Sequence, residues 1–156
     1  MVRYYRRRYR PYYKKKWEVQ NKAVTIQTIG MEEDVVAHAE LPLIDASGTE
    51  GKRTIKNISV QLTTPIVFRW AIVYVPQGVQ PGKLNQSSPS SAVSIYEPNQ
   101  NVMAAGAYDS GAGPNRIFTP LARTLNSGDS IYLMISGQDK SLIRTIGVVS
   151  YAISYN

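Results

Sequence analysis

The chain has 156 residues, 43% of them hydrophobic, with no cysteine, one histidine and a formal net charge of +7. That length can bury the core of one ordinary domain, and a second would be cramped. The absence of cysteine excludes disulfides, thiol nucleophiles, thiolate metal sites and Fe–S clusters, and a lone His38 argues against most zinc sites and any two-histidine mechanism.

Residues 1–17 carry eight of the 18 basic side chains (Arg3, Arg6, Arg7, Arg8, Arg10, Lys14, Lys15 and Lys16) and no acid. The other 139 residues hold 10 basic and 11 acidic side chains, a net of −1. The whole excess therefore belongs to a short arm on a nearly neutral body, residues 18–156. Like charges at this density repel one another and cannot bury, so the arm is expected to be extended or disordered until a polyanion neutralises it. Five of the eleven tyrosines (Tyr4, Tyr5, Tyr9, Tyr12 and Tyr13) lie in the arm, and Trp17 closes it.

Arginine interleaved with aromatic rings suits nucleic acid: guanidinium groups pair with phosphates, lysines add point charges, and rings stack on unpaired bases. Eight neutralised phosphates imply a steep salt dependence, with roughly −0.7 of logarithmic slope per charge on a single strand. No base-reading element is visible, so binding should be indifferent to sequence. The plainer reading of the same arm is a solubilising or nuclear-localisation tail, and the two are compatible. Pro11 and the lack of an apolar helical stripe argue against a membrane-surface segment. The basic start lacks an apolar h-region, so neither a Sec nor a twin-arginine signal is expected despite Arg6-Arg7. No apolar run approaches the roughly 18 residues of a helical membrane span.

From Trp17 onward the pattern has period two rather than 3.6. It predicts strands over about 19–29, 34–41, 53–64, 67–75, 101–107, 116–125, 130–136 and 142–155, with Pro65 and Pro76 bounding the fourth. Residues 77–100, rich in Gly, Pro, Ser, Asn and Gln, read as a 24-residue surface loop, a length that usually serves a purpose in a compact domain. Asp45-Ala-Ser-Gly-Thr-Glu-Gly51, Asp109-Ser-Gly-Ala-Gly-Pro-Asn115, Asn126-Ser-Gly-Asp129 and Gly137-Gln-Asp-Lys-Ser141 are turns or loops. No helix of ten residues is convincing and no internal repeat is present. Eight antiparallel strands in about 140 residues fit an all-β two-sheet sandwich or jelly roll, with an immunoglobulin-like sandwich as the structural alternative.

Chemical motifs are weak. Gly128-Asp-Ser-Ile131 looks like the start of a serine-hydrolase block, but its only candidate base, His38, is far upstream, and a hairpin turn explains it better. Gly106, Gly111 and Gly113 precede no helix N-terminus and so make no phosphate-binding loop. Glu32, Glu33 and Asp34 cluster without the spacing of an oxygen-ligand metal site. Asn57-Ile-Ser59 and Asn85-Gln-Ser87 match the glycosylation pattern by chance. No catalytic constellation, cofactor or metal is expected, and the chain reads as a non-enzyme.

The basic aromatic arm before a small eight-strand body resembles the coat proteins of small circular Rep-encoding single-stranded DNA viruses, the circovirus and nanovirus group. The stretches that carry the likeness are the arm 3–16, Phe68-Arg-Trp-Ala-Ile-Val-Tyr-Val-Pro-Gln-Gly78, Ser94-Ile-Tyr-Glu-Pro-Asn-Gln-Asn-Val102 and Asn126-Ser-Gly-Asp-Ser-Ile-Tyr-Leu133. The resemblance implies a single jelly roll and a T=1 icosahedral capsid of sixty copies. It implies an inward arm that packages single-stranded DNA in the virion and doubles as a signal for the host nuclear import machinery. It also implies assembly in the host nucleus and a host receptor that no motif identifies. Sixty arms would neutralise on the order of 500 phosphates, and a neutral body can pack many copies without mutual repulsion.

Two other readings fit the same arm and fold class. One is the coat protein of a small or satellite RNA virus, since phosphate neutralisation ignores the sugar. The other is a monomeric lectin-like binding module with a basic tether.

Overall fold

A computed structural model describes residues 16–27, 37–48, 51–63, 67–85, 94–109, 111, 116–137 and 144–155. Among them are nine strands: β1 (Glu18–Gln27), β2 (Ala37–Ile44), β3 (Arg53–Thr63), β4 (Phe68–Val75), β5 (Val102–Tyr108), β6 (Ile117–Thr119), β7 (Arg123–Leu125), β8 (Ser130–Gly137) and β9 (Arg144–Tyr155). A 3-10 turn, Asn99–Asn101, leads into β5. The strands form two antiparallel sheets, one ordered β1-β9-β3-β6 with β7 also on β3, the other β2-β8-β4-β5.

Alternation aims one side of each sheet into a shared core. Ile55, Ile58, Val60 and Val149 from the first sheet meet Ile72, Ile131 and Leu133 from the second, all essentially without solvent contact. Phe68 stacks on Tyr108 at the β4–β5 end, with ring centroids 4.6 Å apart and planes 7° from parallel. That offset aromatic contact adds about 0.5–1.5 kcal/mol beyond burial. The Tyr108 hydroxyl donates to the Leu62 carbonyl at 3.0 Å, which ties the two sheets.

The nine strands differ from the expected eight at 116–125, which the sequence predicts as one. Pro120 cannot donate to a ladder, and the chain splits around it into β6 and β7. The break faces a bulge in β3: the residues between Thr119 and Arg123 lie opposite only Lys56 and Asn57. The same bulge breaks the register with β9 between Lys56 and Ser59, and Asn57 takes a left-handed φ of 54° that asparagine tolerates. Its effect is to return Ile58 to the side already occupied by Ile55. Three-residue spacing thus becomes same-face burial, with Ile58, Val60 and Leu62 all inward.

The second strand also differs from expectation. It runs on through Pro42 to Ile44, because β2 is an edge strand where a missing N–H is tolerated. A register shift between Pro42 and Ile44 lets both Leu43 and Ile44 bury.

The loop expected over 77–100 is more than surface in its described parts. Leu84 and Tyr96 lie against Ala71, Val73, Val75 and Met134 on the outer side of the second sheet. The Asn85 amide donates to the Ile95 carbonyl at 2.9 Å, and the Tyr96 hydroxyl accepts from the Gly82 amide at 3.0 Å. With both faces of β4 covered, its apolar run 70–75 needs no alternation.

Candidate nucleic-acid interface

Most of the arm singled out in the sequence (Arg3, Tyr4, Tyr5, Arg6, Arg7, Arg8, Tyr9, Arg10, Tyr12, Tyr13, Lys14 and Lys15) lies outside the described residues. Its root is described. Lys16 is exposed, and Trp17 is half-buried immediately before β1. The Lys56 ammonium sits 3.9 Å from the centroid of the Trp17 ring. A cation over an indole is worth about 0.5–1 kcal/mol at exposed sites, enough to favour one docking position for the arm's last residue.

Lys56 projects from the outer side of the first sheet. Register places Val19, Ala152 and Lys56 in one outward row and Asn21, Ser150, Ser59 and Phe118 in the next. Arg116 lies beside that second row. Its Nε donates to Ser59 Oγ at 2.7 Å, and its guanidinium carbon is 4.6 Å from the centroid of the Phe118 ring. The Ser150 hydroxyl donates to Asn21 Oδ1 at 2.7 Å. Val19, Phe118, Ile146 and Val148 are exposed on the same side. No outward position of these strands, among the described residues, carries a carboxylate.

Three other cations of the body are committed elsewhere. Lys22 pairs with Asp45 at 2.7 Å. Arg53 donates from Nη2 to the Asp45 and Asp129 carbonyls at 2.5 and 3.0 Å, and Arg123 lies 4.2 Å from the Tyr74 ring centroid. Arg69 lies in β4 opposite Ser136 and Ala107, so its outward side belongs to the second sheet.

Sequence reasoning missed a polar node at the β7–β8 turn. The buried Asp129 carboxylate accepts hydrogen bonds from the Asn126 amide at 2.8 Å, the Tyr74 hydroxyl at 2.9 Å, the Gln77 amide at 3.1 Å and the Asn126 side chain at 3.2 Å. Burial alone would raise its pKa, but these donors outweigh burial and hold it below the ordinary carboxylate value. Burial, then the hydrogen bond to Asp129, pushes the Tyr74 phenol up. Gly128 supplies the φ of 81° that the turn requires. The signal was present as Asn126-Ser-Gly-Asp129, but which distant donors it would collect was not readable.

The same geometry disposes of the serine-hydrolase resemblance of this turn. Ser130 opens β8 and its hydroxyl lies 3.4 Å from the Val75 carbonyl, which can accept its proton. His38 pairs with Ser136, six residues along β8, roughly 20 Å away at the usual strand rise. Burial first, then the charges of Lys83 and Arg69, lowers the His38 pKa. Among the described residues no group of three or more His, Cys, Asp or Glu is placed to hold a metal ion, and no helix is long and apolar enough to cross a membrane.

No protein-family model matches the chain, and comparison with curated proteins finds no match.

Proposed function

We propose that the chain is the coat subunit of a small icosahedral single-stranded DNA virus, an eight-position jelly roll that packages its genome through the basic arm. The observation that carries the reading is the segregation of charge: eight cations and no acid in residues 1–17, against a body with a net of −1. Such a body can tile with its own copies while the arms hold polyanion.

Strand order supports the jelly roll. Consecutive strands alternate between the sheets except β4 and β5, which are neighbours in one, and β6 and β7, which share the other; β1 lies beside β9. β6 and β7 both pair with β3 and flank Pro120, so they count as one interrupted strand and the positions number eight. Sixty copies closing by symmetry make a T=1 shell, with assembly in the host nucleus and the arm serving import as well.

The test is removal of residues 1–16. Shells of the shortened protein are expected to form without nucleic acid, whereas full-length shells hold material that deoxyribonuclease degrades once they are opened. Full encapsidation after the deletion would move the packaging role to the body. Ribonuclease-sensitive contents would replace DNA with RNA.

A further inference from the structure

We propose that the outer face of the β1-β9-β3-β6 sheet is a second binding surface for single-stranded nucleic acid. Lys56 and Arg116 contact its phosphates, and Phe118 and Trp17 stack on its bases. This rests on the reading of the arm as a nucleic-acid ligand and adds a site on the folded body.

Four observations converge on that face. Two cations of the face are each held against an aromatic ring, Lys56 at Trp17 and Arg116 at Phe118, which sets a phosphate donor beside a stacking surface twice over. Lys56 and Phe118 are on neighbouring outward rows, about 8–10 Å apart by strand rise and spacing. The exposed Val19, Ile146 and Val148 provide apolar contact for sugars and base faces between hydroxyl and amide groups. The arm departs from the same face, because Trp17 is docked on Lys56. A strand gripped by the arm is therefore delivered to this surface at high effective concentration.

Charge selects this occupant over a second copy of the chain. In a two-fold contact the face would meet itself, bringing Lys56 and Arg116 against their own kind with no outward carboxylate among the described residues to offset them. A polyanion meets no such conflict.

The experiment uses the full chain and a short oligo-deoxythymidine carrying a photoreactive base. Affinity is measured across a salt series for the natural protein, the Lys56→Gln/Arg116→Gln double variant, Phe118→Ala and Lys56→Arg, with thermal unfolding confirming that each is folded. The double variant is expected to lose about 1.4 from the magnitude of the salt slope, two charges' worth on a single strand, and Lys56→Arg none. Phe118→Ala is expected to lose at least about fivefold in affinity with the slope unchanged. Photocrosslinks should reach the peptide containing Phe118 as well as the arm. Unchanged slope and affinity, with crosslinks confined to residues 1–17, would overturn this surface and leave the arm's role standing. Absence of salt-dependent binding by the natural protein would overturn both. Variants that bind oligonucleotide normally but fall apart as particles would make the face a contact between copies, which also overturns the proposal.

Discussion

Replacing Asp129 with asparagine keeps the shape of the β7–β8 turn and changes only its hydrogen-bond chemistry. Three donors converge on Oδ2 (the Tyr74 hydroxyl and both nitrogens of Asn126), while Oδ1 takes the Gln77 amide. In the better of its two orientations the new amide keeps its oxygen toward the three donors and turns its NH2 on the Gln77 N–H. One backbone donor is then orphaned, at about 1–3 kcal/mol, and three bonds lose the help of a full charge. The total is about 2–4 kcal/mol, a large share of an ordinary domain's stability. Guanidinium unfolding followed by circular dichroism should show it at neutral pH as a lower midpoint with the same m-value. The sign with pH follows from the depressed pKa. Stabilisation by Asp129 is complete above the unfolded carboxyl value of about 3.9 and is lost as pH falls through the lower folded value. The gap between natural and variant protein must therefore narrow in acid. A difference under about 0.5 kcal/mol at neutral pH, or one that acid leaves unchanged, would mean that the Asp129 carboxylate does not hold this turn.

Other outcomes follow from packing and titration. A Cβ on Gly147 would stand 2.6 Å from both the Gln61 carbonyl oxygen and Leu62 Cδ2, so Gly147→Ala must shift backbone between β9 and β3. It should cost about 1–3 kcal/mol in a thermal or denaturant melt. Leu84→Ala empties the second core and should cost about 2–4 kcal/mol, whereas Val79→Ala, on the exposed stretch of the same loop, should stay within about 0.5 kcal/mol. The lowered pKa of His38 means that its contribution to stability is full above about 6.5 and declines as pH falls toward the folded value. His38→Gln should flatten that part of the stability profile, and a profile identical to the natural one would remove His38 as its source.

Fold class was legible because buried strands of this chain announce themselves by composition and period: β4, β8 and β9 fall within a few residues of where alternation and β-branched runs put them. What escaped was written in tertiary contact. The bulge at Asn57 looks in sequence like an interrupted period, and only its pairing with β9 and with the gap at Pro120 shows it realigning Ile55 with Ile58. Leu84 and Tyr96 sit in a stretch whose Gly, Pro and Ser content signals loop, and nothing local says that it folds onto the outer side of β4. For the candidate interface, residue type alone singled out the arm as an expectation, and most of it lies outside the described residues. Phe118 was hidden within an edge strand of three residues and Arg116 just before it, and the outward aim of Lys56 depended on the β3 register.

The most direct test of the coat-protein account is sedimentation of the purified full-length chain across a salt series, with absorbance read at both protein and nucleic-acid wavelengths. A sixty-copy coat should sediment as particles of about 1 MDa, sixty copies of 17.4 kDa, carrying co-sedimenting nucleic acid. A lone 17.4 kDa species at every ionic strength, indifferent to added oligonucleotide, would contradict it.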